Sequence, residues 1–348
     1  MHPFIEKITQ KPFTIAEVGI NHNGDINIAK KMIDAAKASG VNAVKFQTFQ
    51  ADEFVGDPTE TYTYKSQGKE ITESMLTMFQ RYQFSGDDWQ ELYSYCQQQK
   101  IQFLSTPQNY SDCEILLKLG VEALKVGSDD FTNIPLLKQF AATGLPLMLS
   151  IGMADLAEVY ESLNAVNAIQ STPTVLMLCT SQYPTPSTDV NINKLDTIKQ
   201  VFPNVVLGFS DHTKGQTAAV MAVTKGALVF EKHFTLDNTM AGPDHWFSEN
   251  PSSLKTWVEQ IQTAYKMLGS SEIVPTQKEL EMRKLARRSI TALTDIKKGE
   301  LLTECNVGLR RPGHGLEPKW LTQVIGKKAT KAFIKNDNIN LGDFSHST

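Results

Sequence analysis

The 348-residue chain predicts a (β/α)8 TIM barrel followed by a small β-rich module, on three observations. Eight short apolar, β-rich runs recur between Phe13 and about Thr235. Polar or Gly residues and an amphipathic segment separate each run from the next, which is the alternation of parallel βα units. Beyond Leu268 that alternation stops and a different pattern begins. A doubly wound sheet is the competing topology, but no GxGxxG follows the first strand.

The first run is FTIAEVG, from Phe13. It leads into INIAKKMIDAAKASG, from Ile26, where Ile28, Met32, Ala35 and Ala36 share one helical face and Gly40 suits the C-cap. The second run, AVKFQTF from Ala43, precedes a long polar and aromatic stretch reaching from Phe49 to a helix near Asp87. That exceeds an ordinary βα loop and is expected to form an active-site lid or a dimer element. IQFLSTP, ALKVGS, LPLMLSIG, TVLMLCTS, VVLGFSDHT and ALVFEKHFT, starting at Ile101, Ala123, Leu145, Thr174, Val205 and Ala227, complete the eight. A last helix near Ser253 to Leu268 closes a catalytic domain of residues 1–268. Residues 269–288 read as a linker plus a short helix, and residues 289–348 as a module with turns at KKGE, RPGHG and KNDN. At about 60 residues such a module is marginal alone and is expected to dock against something.

Composition narrows the function classes. Apolar residues are 41%, charged residues 21% and the formal charge is −4, with no run of five like charges, so neither nucleic acid nor an anionic membrane is indicated. Cys96, Cys113, Cys179 and Cys305 form no CxxC pair, which fits a reducing compartment better than a disulfide framework. With a polar N-terminus and no long apolar stretch, a cytoplasmic protein is expected.

In a barrel of this kind chemistry collects at the C-terminal strand ends. Strand one ends in Glu17 and then NHNG; strand two carries Lys45 and Gln47; strand three ends in Ser105 and Thr106; strand four carries Lys125 and ends in Ser128. Strand five ends in Ser150, strand six runs into Thr180 and Tyr183, strand seven delivers Ser210, Asp211 and His212, and strand eight delivers Glu231, Lys232 and His233. Two lysines on apolar strands lose solvation unless something anionic meets them. With the hydroxyls of Thr106, Ser128, Ser150 and Ser210 they ask for a phosphate or carboxylate, the alternative being internal pairing of Lys45 and Lys125 with Glu17 and Glu231. His212 and His233 end adjacent strands. A lone strand histidine is usually a hydrogen-bonded core residue, whereas two at matching heights point to a borderline divalent metal in an open site. Asp244 and His245, in GPDHW, face the same rim or cap the final helix.

At these residues the chain resembles the sialic acid synthase family, through IAEVGINHNG, VKFQTF, FLSTP, LKVGS, LSIGM, LCTSQYPTP, GFSDHT, EKHFTLD and GPDH, with DIKKGE and RRPGHG resembling the family's antifreeze-like, or SAF, domain. The match runs in order over essentially the whole chain. The resemblance implies an enzyme that joins phosphoenolpyruvate to an N-acylated mannose-type sugar. It implies a divalent metal on His212 and His233, manganese before magnesium or cobalt, and a phosphoenolpyruvate site of Lys45, Thr106, Lys125, Ser128, Ser150 and Ser210. It makes Glu17 the acid/base carboxylate, places Gln47, Tyr183 and Asp244 among the substrate-contacting positions, and gives Arg311 the sugar's N-acyl group. Separately, the small module and a linker from Gly269 to Arg288 long enough to cross a subunit boundary lead to the expectation of a domain-swapped homodimer in which Arg311 completes the partner's site. Ser181, Phe46, Phe49 and Ile151 depart from the pattern of N-acetylneuraminate synthases, and the segment from Gln50 to Arg81 does not align, which leaves the sugar open. GPDH favours the sialic or legionaminic branch over the pseudaminic one. The rival enzymes, synthases of octulosonate or heptulosonate phosphates, are disfavoured by the tail. A non-catalytic carbohydrate-binding protein would have eroded strand ends, yet all eight keep reactive side chains.

Overall fold

The computed structural model describes residues 2–345. All eight apolar runs are strands. They are β1 (Phe13–Gly19) and β2 (Ala43–Thr48) and, beyond a hairpin of β3 (Thr61–Ser66) and β4 (Lys69–Ser74), β5 (Gln102–Pro107), β6 (Leu124–Val126), β7 (Leu147–Ser150), β8 (Thr174–Cys179), β9 (Val206–Asp211) and β10 (Val229–His233). The ladders are all parallel in the order β5-β2-β1-β10-β9-β8-β7-β6. The two end strands, β5 and β6, lie side by side. A parallel sheet that returns on itself with helices outside is the expected barrel.

Alternation along the strands sorts the side chains. Ala16, Val18, Val44, Phe46, Phe103, Leu124, Leu149, Leu176 and Phe230 point outward into the core beneath the helices. Ile15, Ala43, Leu104, Ala123, Met148, Met177 and Val229 fill the lower interior. Their cluster is completed by Phe4, Ile5 and Ile8 of the helix Pro3–Thr9, which plugs that end. From the sequence this N-terminus reads as polar, because three apolar residues on one face of a seven-residue helix give too short a pattern to register.

The long second connection is ordered. A short helix (Ala51–Phe54), the antiparallel hairpin and the helix Met75–Tyr82 dock through a cluster of Ile20, Phe49, Met78 and Tyr82. The hairpin tip meets the loop after β10: Gly242 N donates to Ser66 Oγ at 3.0 Å and Gln67 Nε2 to the Thr239 carbonyl at 2.9 Å. Gly24, at φ +71°, permits the dock, because a Cβ there would stand 2.2 Å from the Arg81 carbonyl oxygen.

The chain divides into two compact units between Gly269 and Ser270. The first ends with the helix Pro251–Leu268, capped by the Asn250 side chain. In the second, the helix Gln277–Ala286 buries none of its residues. The antiparallel pair β11 (Ser289–Ala292) and β12 (Val307–Arg310) packs with Ile296, Leu302, Val324, Ala329, Phe333, Ile339 and Phe344 around a small core. Among the described residues no helix is long and apolar enough to cross a membrane.

Candidate active site

One step above the apolar interior, the inward positions of the same strands turn polar. Glu17, Lys45, Thr106, Lys125, Ser150, Ser210 and Glu231 are all buried, and hydrogen bonds or ion pairs join them. Lys45 Nζ lies 2.6 Å from Glu17 Oε2 and donates to Thr106 Oγ1 at 3.1 Å. Gln47 Nε2 donates to the other oxygen of Glu17 at 3.3 Å. Lys125 Nζ donates to Ser150 Oγ at 2.7 Å and to the Val126 carbonyl at 3.1 Å. Glu231 stands between the two lysines, its Oε1 3.8 Å from Lys45 and 3.9 Å from Lys125, and accepts from Ser210 Oγ at 3.2 Å. The internal pairing weighed from the sequence is therefore present.

Four buried charges in one place perturb one another. Burial pushes the Glu17 carboxyl up to about 7, against the pull of Lys45. Glu231 is held below its ordinary value, since Lys125 and Lys45 outweigh its burial. Burial depresses Lys125; it opposes the charge of Lys45 too, but Glu17 and Glu231 more than offset it there. A carboxyl titrating near neutrality beside a cationic pair has the proton affinity that general acid/base work at physiological pH requires.

Ser128 sits at the edge of this set, its Oγ accepting from Gly152 N at 2.9 Å. A Cβ at Gly152 would fall 2.6 Å from that oxygen and 2.4 Å from Ser181 Oγ, so only glycine lets the two hydroxyls close in here.

The second cluster is imidazole and aromatic. The rings of His212 and His233 lie with centroids 5.3 Å apart, and the Tyr183 ring stands 4.2 Å from the first and 5.5 Å from the second. Phe247 packs on both Tyr183 and His233. His212 Nδ1 hydrogen-bonds the Thr180 carbonyl at 2.8 Å, which makes it the protonated nitrogen and leaves Nε2 its lone pair. His233 Nδ1 is buried without a hydrogen-bond partner, 3.7 Å from Asp244 Oδ2. Burial, with His212 and the lysines, holds His233 well below the ordinary histidine value and hence neutral. Burial opposes charge on His212, but Cys179 at 3.8 Å, the Thr180 carbonyl and Glu231 together more than offset it and raise that ring's value. Burial also lifts Asp244 to about 6. Among the described residues no three His, Cys, Asp or Glu side chains are grouped to hold a metal ion. Two imidazoles with an open remainder nevertheless fit a borderline divalent ion completed by water and substrate.

The sequence placed His245 on the same rim as Asp244; the structure corrects this. His245 is fully buried, bonded through Nδ1 to Thr235 Oγ1 at 2.7 Å and through Nε2 to Asn23 Oδ1 at 3.2 Å, and it ties the loop after β1 to the loop after β10. The final helix is capped by Asn250 rather than by either residue. From the sequence Glu231 reads only as an ion-pair partner, although it lies two positions before His233 and so shares its inward face. Arg311 stands exposed in the second unit, just after β12.

The profile of the NeuB family matches residues 32–273. The chain belongs to the NeuB family. The SAF-domain profile matches residues 287–344, so this NeuB-family chain carries a SAF domain behind its barrel. It is 39% identical over 91% of its length, and 90% of the relative's, to the N,N'-diacetyllegionaminic acid synthase of Legionella pneumophila. To the pseudaminic acid synthase of Helicobacter pylori it is 30% identical over 97% of this chain and 99% of that one. Among solved structures, the N-acetylneuraminic acid synthetase of Leptospira borgpetersenii in complex with citrate superposes with a TM-score of 0.70 at 32% identity, covering 78% of this chain and 90% of that chain. The chain is accordingly an enzyme of the sugar-acid synthase type that forms carbon–carbon bonds.

Proposed function

We propose that the enzyme condenses phosphoenolpyruvate with N-acetylmannosamine or a related N-acylated mannose-type sugar, giving a nonulosonic acid and phosphate, as an N-acetylneuraminate synthase does. The observation that carries this reading is the pair of buried ammonium groups, Lys45 and Lys125, ringed by hydroxyls in the same barrel mouth as two adjacent imidazoles. Phosphoenolpyruvate brings a phosphate and a carboxylate to the ammonium groups, in competition with Glu17 and Glu231. His212 and His233 would hold a divalent metal, manganese before magnesium or cobalt, which supplies Lewis acidity and activates water when bound.

In this reading C3 of phosphoenolpyruvate bonds to the aldehyde carbon of the open-chain sugar as the carbonyl π bond breaks, and the aldehyde oxygen becomes a hydroxyl by taking up the proton that Glu17 removes from water. Water adds at C2 and Glu17, poised near pH 7, takes its proton. The tetrahedral intermediate expels phosphate together with the bridging oxygen, while Lys45 and Lys125 stabilise the departing charge. The test is sugar-dependent phosphate release from phosphoenolpyruvate labelled at the bridging oxygen, with N-acetylmannosamine, its 6-phosphate and 2,4-diacetamido-6-deoxymannose as alternatives. Label in the sugar acid, or no release with any sugar, overturns the proposal. The 39% identity to a legionaminic acid synthase, against 30% to a pseudaminic one, favours the legionaminic over the pseudaminic branch as the second reading.

The same proposal makes the enzyme a cytoplasmic, domain-swapped homodimer in which Arg311 serves the partner's site. Ile273, Val274, Met282 and Leu285 expose apolar side chains along the segment before the small core, as a surface that meets another chain would. Mixing decides it: Glu17→Gln and Arg311→Ala are each expected to be nearly inactive, and their heterodimers to regain activity. No recovery after demonstrated subunit exchange overturns the swap.

A further inference from the structure

Each imidazole of the site is preceded by a charged residue that faces the other way. Alternation turns Ser210 and His212 into the barrel and Asp211 out toward the helices; it turns Glu231 and His233 in and Lys232 out. The register sets Lys232 opposite Asp211, and Lys232 Nζ lies 2.9 Å from Asp211 Oδ2. Both are buried, at 2% and 1% exposure, and from the last helix Trp257 Nε1 donates to Asp211 Oδ2 at 3.1 Å. Asp211 Oδ1 accepts from the backbone N and the hydroxyl of Thr213 at 2.9 and 2.7 Å.

Lys232 reaches further. Its ammonium donates to the carbonyls of Thr213 and of Gly215, the latter at 3.2 Å, and stands 3.7 Å from Glu249 Oε1. Glu249 in turn donates its backbone N–H to the His233 carbonyl at 2.8 Å and accepts from Thr235 N at 2.9 Å. One side chain therefore grips the residue before His212, the loop after it, and the residue hydrogen-bonded to His233. Stability alone does not call for charges here, since an apolar pair of the same volume is often as good or better. What the ion pair adds is a fixed geometry between two strand ends.

We propose that Lys232, acting with Asp211, Trp257 and Glu249, is a positioning residue that sets the spacing of the His212 and His233 imidazoles presented to a divalent ion. The inference rests on the metal reading above. Outward-facing and sealed by the last helix, the network touches no substrate and acts only through the two histidines.

The test titrates Mn2+ alone into wild type, Lys232→Met and Phe140→Ala by calorimetry, below the melting transition of each. Phe140 is fully buried on the helix Ile134–Ala142 and is not part of the network, so its truncation supplies a stability loss without touching it. Lys232→Met should bind Mn2+ about 10–100-fold more weakly, the usual range for residues that orient metal ligands. Phe140→Ala should bind like wild type. KM for phosphoenolpyruvate measured at saturating Mn2+ should be the same in all three, because Lys45 and Lys125 are untouched. Wild-type Mn2+ affinity in Lys232→Met, or an equal loss in Phe140→Ala, overturns the inference. Where Lys232→Met does not fold, Trp257→Phe removes one donor from Asp211 and keeps the ion pair; it should weaken Mn2+ binding in the same direction, and unchanged binding again overturns the inference. A wild-type protein that binds no divalent ion overturns the metal reading itself, and the inference with it.

Discussion

Two levels of one barrel interior, separated by two residues on the same strands, behave as different materials. Ile15, Ala43, Ala123 and Val229 belong to an apolar plug, whereas Glu17, Lys45, Lys125 and Glu231, two residues on, form a buried charge cluster. Backbone and burial are alike at both levels, so the difference lies in the side chains alone. The lower level gains by excluding water. The upper one bears desolvation costs that mutual pairing offsets only in part, as the opposed shifts of Glu17 and Glu231 show. Substitutions at the two levels should accordingly separate into losses of stability and losses of activity.

The largest expected effect strikes the upper level through its imidazoles. Chelation should abolish turnover and Mn2+ restore it, and His212→Ala should lose both metal and activity while its melting temperature stays near that of wild type. Full activity of the chelated protein would remove the metal from the mechanism.

Next comes Glu17→Gln, expected to lower kcat by about 10²–10⁴-fold, the range for a general base. The pH profile gives the sign. Below its value of about 7 Glu17 carries a proton and cannot accept one, so kcat/KM in wild type should rise with pH through about 7 and then level off. The limb should be missing from Glu17→Gln. Stability runs the opposite way. The folded state holds this proton more tightly than the unfolded chain does, so the group's contribution to stability falls as pH rises from 4.5 toward 7.

The lower-level counterpart is Ile15→Ala, two residues away on the same strand. It is fully buried, and truncation should cost about 2–5 kcal/mol in urea unfolding while kcat/KM stays near wild type. A large loss of activity here would mean that the two levels are not separable.

How much of this the sequence disclosed follows from the same alternation. Eight apolar runs separated by amphipathic segments disclosed the barrel, and position at the C-terminal end of a run marked Glu17, Lys45, Lys125, Ser150, Ser210, His212 and His233. The period of two along a strand implied that Glu231 faces inward with His233 and that Lys232 faces out, an inference that a strand-by-strand reading of ends passed over. The hairpin stayed hidden for a different reason: TYTYKSQGKEITES alternates around a Gln-Gly turn, but most of its side chains are exposed, so no apolar face announces it. His245 was misplaced because its partner Asn23 is 222 residues away, and no local pattern encodes that bond. For Arg311 the RRPGHG motif and a resemblance are all that the chain offers, and the structure adds only that the residue is exposed.

The smallest expected effect lies at the mouth, where Tyr183 joins a half-exposed ring to a hydroxyl. The ring packs on His212, His233 and Phe247, so Tyr183→Ala would open the wall beside the imidazoles and disturb several groups at once. Tyr183→Phe keeps that packing and removes only the hydroxyl. If the hydroxyl bonds the sugar, its loss should cost about 0.5–1.5 kcal/mol, or roughly 2- to 10-fold in kcat/KM for the sugar. KM for phosphoenolpyruvate should not move, because the residues proposed to hold it, Lys45, Thr106, Lys125, Ser150 and Ser210, stand on β2, β5, β6, β7 and β9. Steady-state kinetics with each substrate varied in turn reads both numbers. A change confined to phosphoenolpyruvate would place the phenol on the anion side and break the division between an ammonium-lined half of the site and an imidazole-and-aromatic half.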